Sequence, residues 1–234
     1  MGTPIEQKPL YLEVAGRLRE RIYAQRLKPG EWIDEKAVCK ELGISRTPLR
    51  EALKVLHAES LVELIPRRGC YVRTLDGDGL HELFPVMATL EGLCARLAVE
   101  NCTPEQLNAL IETHARLEAA AAAGDVDRYF DENHGFHRAV QTLSGNRWLQ
   151  RITSELRGVL QLARHKQLTL PGRLAQSLDE HRQIMDGFRQ HDPVKAQQAM
   201  ERHLCRQRDA LQDADQEPVS PLAGATTKLN GGEK

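Results

Sequence analysis

Aromatic residues, long apolar runs and paired cysteines are scarce in this sequence. Phe, Trp and Tyr make up 4% of the 234 residues, which favours helices because strands are normally rich in aromatic side chains. No window approaches the roughly 18 uncharged apolar residues of a membrane span, and Met1–Glu6 lacks the apolar core of a signal peptide. The five cysteines form no C-x-x-C pair, as expected of reduced thiols. We expect a mainly helical, cytoplasmic protein with no membrane partner.

The net charge is only −1, but the charges are unevenly distributed. Residues 1–75 carry 14 lysines and arginines against 10 acidic residues, a net of +4. The rest of the chain carries 18 against 23, a net of −5. A basic first part joined to a larger acidic part suggests that the first part contacts a polyanion.

Residues 9–75 show the order of elements of a winged helix-turn-helix. A stripe of apolar residues spaced by four predicts a first helix: Leu10, Val14, Leu18 and Ile22. Asp34 is placed to cap a second helix, and Gly43 to end it after Leu42. Ser45 is placed to cap a third helix, and two β-rich runs, 61–65 and 70–75, flank a hairpin tip at 66–69. The short glycine-containing turn between the second and third helices is what this motif needs.

The third helix has the polarity of a DNA-recognition helix. Its first turn is polar and basic, with Ser45, Arg46, Thr47 and Arg50, whereas its later turns are apolar. Arginine at the start of such a helix can bond guanine in the major groove, and hydroxyls suit phosphates. Arginines at the hairpin tip, 67 and 68, suit the adjacent minor groove or its phosphates. This ordered set predicts binding to double-stranded DNA.

The remainder of the chain is predicted to be an all-α antiparallel bundle of about six helices. Five breaks rich in Pro, Gly, Ser and Asp divide residues 80–214 into these helices. Residues 76–79 are predicted to be a linker, 1–8 an N-terminal arm and 215–234 a disordered tail with hardly any apolar residue. Pro85 predicts a kink or a late start in the first helix of the bundle.

Three of the predicted bundle helices turn nitrogen ligands towards the core. Asn133 and His137 are four residues apart and share one helix face, while His181 and His203 lie among apolar residues on two later helices. Neutral imidazole is the commonest metal ligand, and bundle cores assemble such sites from facing helices. A core histidine can instead be satisfied by a carbonyl or water, but three of them on three helices favour a shared metal site.

The N-terminal part resembles the DNA-binding half of GntR-family bacterial transcription regulators. The matching stretches are LKPGE at 27–31, LGISRTPLREAL at 42–53, and LVEL with PRRG at 61–69. The resemblance implies base or phosphate contacts from Arg46, Thr47 and Arg50. It further implies a phosphate contact from Lys36 and a wing contact from Arg68 and Gly69.

Residues 79–211 resemble the ligand-binding domain of the FadR subfamily of that family. The matching stretches are LEGLCARLA at 90–98, NHGFH at 133–137, SGN at 144–146 and EHRQI at 180–184. Many members hold a divalent metal, often beside a small carboxylate, with an Asp and three His; the ligands here would be Asn133, His137, His181 and His203. Zinc is the expected metal, with nickel or manganese as alternatives.

Two positions depart from the FadR pattern. Asn133 replaces the usual Asp, which removes a charge from the ligand set. Met87 stands where many relatives carry a pocket arginine, so we expect Arg157 or Arg164 to face the effector instead.

We expect a ligand-responsive repressor that binds a pseudo-palindromic operator as a homodimer and responds to a small organic acid. One alternative is a metal sensor, in which the ion is the signal. Another is a metal-dependent hydrolase, although Glu180 is predicted to point away from the histidines and no other carboxylate is placed as a general base.

Overall fold

The structure, a computed structural model, describes residues 9–75, 77–163 and 170–216. Within these residues the chain forms nine α-helices and one two-stranded antiparallel sheet. The elements of the N-terminal part are α1 (Leu10–Tyr23), α2 (Glu35–Leu42), α3 (Arg46–Ala58), β1 (Val62–Ile65) and β2 (Gly69–Val72). Those that follow are α4 (Gly77–Asn101), α5 (Pro104–Ala122), α6 (Val126–Leu143), α7 (Arg147–Leu160), a 3-10 turn (Gln161–Ala163), α8 (Arg173–Arg189) and α9 (Pro193–Gln216). The predicted fold class is therefore confirmed.

The winged helix forms where the sequence places its caps and turns. The Asp34 side chain accepts hydrogen bonds from the backbone N–H groups of Lys36 and Ala37, which begins α2. Gly43 ends α2 with φ of 64°, a left-handed conformation that glycine adopts without steric cost. Ser45 occupies the N-cap position of α3 without a side-chain capping bond. The strands pair from Val62 opposite Val72 to Ile65 opposite Gly69, so residues 66–68 form the tip of the hairpin, the wing.

Six α-helices of the described residues make up the second domain. Helix α4 is its central element and packs against α9, α6 and α7, while α5 packs against α6 and α8. The core is a continuous cluster of buried apolar side chains from these helices, among them Phe84, Met87, Phe136 and Phe188. None of the helices in the described residues is long and apolar enough to cross a membrane.

Helices α8 and α9 pack closely at their connection. A Cβ atom added at Gly187 would lie 2.6 Å from the backbone nitrogen of Ala196, which is closer than non-bonded atoms approach. Only glycine therefore allows the two helices to approach this closely. The contact holds α8 and α9 in one fixed longitudinal register.

The ends of the predicted elements differ from the structure in three places. Residues 77–79, predicted to be part of a linker, form the first turn of α4, where buried Leu80 and Phe84 hold the helix start against the core. Helix α4 also continues through Pro85 instead of starting after it. Helix α9 extends to Gln216, two residues into the predicted tail. The predicted arm, 1–8, and the rest of the predicted tail, 217–234, lie outside the described residues.

Candidate metal centre and nucleic-acid interface

Three buried histidines meet in the core of the helical domain. His137 on α6, His181 on α8 and His203 on α9 are each at most 1% exposed. One ring nitrogen from each lies within 4.8 Å of the others. The Nε2 atoms of all three have no hydrogen-bond partner within the described part of the chain. Buried polar atoms are nearly always paired, so three such nitrogens in one place fit a shared ligand such as a metal ion.

The opposite nitrogen of each ring is held by an acceptor. His137 Nδ1 lies 2.6 Å from Glu91 Oε2, and His203 Nδ1 lies 2.7 Å from Glu180 Oε2. His181 Nδ1 lies 2.7 Å from the backbone oxygen of Ser177. Because each acceptor requires a proton on Nδ1, each ring presents its Nε2 lone pair to the cluster. This is the arrangement in which proteins orient metal-binding imidazoles.

Two buried arginines support the carboxylates. Arg157 on α7 donates from Nε and Nη2 to the two oxygens of Glu91, at 2.7 and 2.6 Å. Arg173 on α8 donates to both oxygens of Glu180 at 3.0 Å. The prediction that Glu180 points away from the histidines is therefore wrong. Glu180 is adjacent to His181 and leaves the helix in another direction, but that direction also faces the interior. There Arg173 balances its charge and His203 Nδ1 hydrogen-bonds to it.

Burial and the neighbouring charges fix the protonation of the site. Burial lowers the pKa of His137 to about 3, and the positive charge of Arg157 contributes to this shift. Burial also lowers the pKa of His181 and of His203. Burial alone would raise the pKa of Glu91, but Arg157 and His137 lower it below its usual range. The site therefore contains neutral imidazoles and ionised carboxylates, the forms suited to metal coordination.

Asn133 lies one helical turn before His137 and is 6% exposed. Its Oδ1 also has no hydrogen-bond partner within the described residues. A cavity of about 20 Å³ lies beside it, lined also by Arg157, Gln161 and Gln207. The structure thus brings Asn133 and Arg157 to one cavity, whereas Arg164 lies outside the described residues. Gln207, one turn after His203 on α9, was not singled out from the sequence although that spacing could have indicated it.

The predicted DNA-contacting residues share one exposed face of the winged helix. Lys36, Arg46, Arg68 and Gly69 line the same concave surface between α2, α3 and the wing. Ser45 and Thr47 are exposed at the start of α3, next to this surface. Arg50 is exposed as well, and its Nε lies 3.3 Å from Glu35 Oε2.

Two further residues line this surface that were not among the predicted contacts from the family resemblance. Arg67 stands beside Arg68 at the hairpin tip. Trp32 is 51% exposed and forms an isolated bridge with Tyr71 of β2, so the segment before α2 pairs with the wing. Composition counts alone cannot show that a tryptophan is exposed in a groove lined by basic residues.

Two protein-family models match this chain. The family model described as "Bacterial regulatory proteins, gntR family" matches residues 10–72, and that of the FCD domain matches residues 82–206. The chain therefore belongs to the GntR family of bacterial regulatory proteins and carries an FCD domain after its winged helix. It is a transcriptional regulator, as the sequence predicted.

Its relatives share this architecture. The "Uncharacterized HTH-type transcriptional regulator YdhC" of Bacillus subtilis (strain 168) is 27% identical over 197 residues, 84% of this chain and 88% of the relative. The "Probable D-xylose utilization operon transcriptional repressor" of Paenarthrobacter nicotinovorans is 30% identical over 198 residues, 82% of this chain and 85% of the relative. The solved structure of E. coli McbR/YncC has the same fold, with a TM-score of 0.77 at 24% identity over 88% of this chain and 99% of that one. The relatives are transcriptional regulators and not enzymes, which contradicts the hydrolase alternative.

Proposed function

We propose that this chain is a cytoplasmic repressor of the FadR subfamily that binds a pseudo-palindromic operator as a homodimer. Its effector site is the three-histidine cluster with Asn133, where a divalent metal assists the binding of a small carboxylate. The convergence of three buried, unpaired Nε2 atoms carries this proposal. Three neutral nitrogen donors and an amide oxygen suit zinc, with nickel and manganese as alternatives.

The metal would be held by His137, His181 and His203, with Asn133 as the fourth ligand. When bound, it would supply a positive charge that attracts an acid. Arg157 lines the adjacent cavity, but its charge is balanced by Glu91. The metal would therefore supply most of the attraction for an anion. The two DNA-binding units of the dimer can adopt different arrangements. An effector that binds one arrangement better increases the population of that arrangement.

The exposed basic face supports the DNA-binding part of the proposal. The start of α3 would enter the major groove, where Arg46 reads a base edge. Lys36 and the wing arginine Arg68 would contact phosphates on either side. One winged helix covers half an operator, so two copies related by a two-fold axis are expected on a pseudo-palindrome.

Metal analysis and thermal unfolding test the site. Zn²⁺ added to chelator-treated protein should raise the melting temperature, and the gain should grow with free ion concentration. His181→Ala or His203→Ala should abolish most of that gain. His191→Ala, at an exposed position outside the cluster, is the matched control and should keep it. An equal gain in all four proteins would contradict the proposed ligands.

A metal sensor is the second candidate, and the size of the cavity favours it. The space beside Asn133, about 20 Å³, has room for about one water molecule, so an organic acid would have to move the surrounding side chains whereas an ion would not. Operator fragments selected from random DNA would distinguish the two candidates. If Zn²⁺ alone changes the affinity for these fragments, the ion is the signal. If a change requires a carboxylate in addition, the acid is the effector.

A further inference from the structure

Helix α7 and the 3-10 turn after it carry buried residues that belong to both domains. Arg157 bonds to α4 of the helical domain, and Leu160 joins the core of that domain. Val159 and Leu162 instead belong to the buried core of the winged helix. Because these four residues lie within two helical turns, a movement of this segment displaces groups in both cores.

Two hydrogen-bonded contacts link α7 to the three-histidine cluster. The first joins His137 Nδ1 to Glu91 Oε2 at 2.6 Å. The second is the two-pronged bond from Arg157 to Glu91, at 2.7 and 2.6 Å. All three side chains are at least nine-tenths buried. Since water cannot substitute for these partners, the position of the His137 ring and that of Arg157 are tied together.

On its other side, α7 contacts the last residue of α1. A Cβ atom added at Gly158 would lie 2.7 Å from the Tyr23 hydroxyl oxygen, and 3.9 Å from the Tyr23 Cζ atom. The first distance is too short for any side chain, whereas the second is ordinary van der Waals contact. The Tyr23 hydroxyl lies this close to α7 because residue 158 has no side chain, and a methyl group there would have to displace it. Helix α1 in turn packs on α3, the helix that carries the predicted DNA contacts.

We propose that α7 transmits ligand occupancy of the three-histidine cluster to the winged helix. The route runs from His137 through Glu91 to Arg157, and from the adjacent Gly158 to Tyr23. This inference rests on the proposed function, because it needs an ion at the cluster. Arg157 is then a positioning residue, which fixes Glu91 on one side and the end of α7 on the other. Coupling of this kind is reciprocal, so the winged helix and the cluster influence each other equally.

Hydrogen exchange of the full-length protein, followed by mass spectrometry with Zn²⁺ or with chelator, tests the route. In the parent protein, Zn²⁺ should slow exchange in α6, α8 and α9, and also in α1. The slowing in α1 should be roughly fivefold or more, the lower end of couplings between allosteric sites. In Gly158→Ala, the added methyl group displaces Tyr23, so the effect in α6, α8 and α9 should persist while the effect in α1 is lost.

A compensating variant separates the route from general damage. Removing the hydroxyl with Tyr23→Phe makes room for the methyl group, so the double variant Tyr23→Phe/Gly158→Ala should regain the effect in α1. Arg157→Lys keeps the charge but loses the two-pronged bond and should weaken the effect in α1. Arg151→Lys, on the exposed side of α7, is the control for Arg157→Lys and should leave the effect in α1 unchanged.

The remaining outcomes each decide a different point. Slowing in α6, α8 and α9 of the parent without slowing in α1 would overturn the route but leave the metal site. The route would also be overturned if Zn²⁺ slowed exchange in α1 of Gly158→Ala as much as in the parent. The same holds if the double variant regained none of the slowing in α1. No slowing anywhere on addition of Zn²⁺ would overturn the metal site, and the route with it.

Discussion

Replacing Asn133 by aspartate should destabilise the metal-free protein and enlarge the stability gain that Zn²⁺ gives. The substitution keeps the length of the side chain and replaces a neutral amide by a carboxylate. Asn133 is 6% exposed, and Arg157 at the same cavity is already engaged by Glu91. In metal-free protein the new charge is therefore buried without a partner, which costs about 1–3 kcal/mol or more. For a chain of this size, that lowers the melting temperature by roughly 2–12 °C.

Zn²⁺ offsets this loss, because a carboxylate beside a dication strengthens binding. A tenfold gain in affinity adds about 1.4 kcal/mol of stability at saturating ion. This corresponds to roughly 3–6 °C in melting temperature beyond the gain that the parent shows. The difference between the Zn²⁺ and chelator curves should therefore be larger for Asn133→Asp than for the parent.

Thermal melts of the two proteins, each with chelator and with Zn²⁺, provide the measurement. Asn146→Asp is the matched control, since Asn146 caps α7 through its side-chain oxygen and lies outside the cluster. An aspartate caps equally well, so this variant should respond to Zn²⁺ as the parent does. If Asn133→Asp and the parent respond in parallel, Asn133 is not a ligand and the reasoning is refuted.

Three further predictions concern the DNA face and the supporting carboxylates. Arg46→Ala should lose roughly 1–3 kcal/mol of specific DNA binding, measured against a scrambled sequence. Lys36→Ala should weaken all sequences alike and reduce the slope of log affinity against log salt by about one; unchanged slopes in a salt series would contradict a phosphate contact. Glu180→Gln should lower Zn²⁺ affinity roughly 10–100-fold because it loosens His203. Glu118→Gln, at a more exposed pair with Arg182, should leave that affinity unchanged in the same competition titration.

Periodicity and capping residues were enough to predict the order of the elements. The capping of α2 by Asp34 and the end of that helix at Gly43 follow from local chemistry, which a sequence displays directly. The spacing of Asn133 and His137 likewise placed both on one buried face. The start of α4 was harder to predict. The glycines suggested a linker, but the burial of Leu80 and Phe84 stabilises a helix there.

The carboxylates behind the histidines could not be predicted in the same way. Whether a glutamate is buried depends on a cation supplied by another part of the fold. Arg157 lies 66 residues from Glu91, and Arg173 lies 7 residues from Glu180. The shorter separation could have been noticed, since residues seven apart lie on one side of a helix. The pairing of Glu91 with Arg157 becomes apparent only when α4 and α7 are packed together.

The close contact of Gly187 with Ala196 constrains how this protein can vary by insertion and deletion. His181 precedes Gly187 by six residues and His203 follows Ala196 by seven. At about 1.5 Å per residue these arms are nearly equal in length, so the contact sets both imidazoles at the same height. One residue gained or lost in either arm would turn its histidine by about 100° and remove it from the cluster. Among homologous sequences, length changes should therefore avoid the two arms, 181–187 and 196–203, and any that occur there should accompany loss of the histidines.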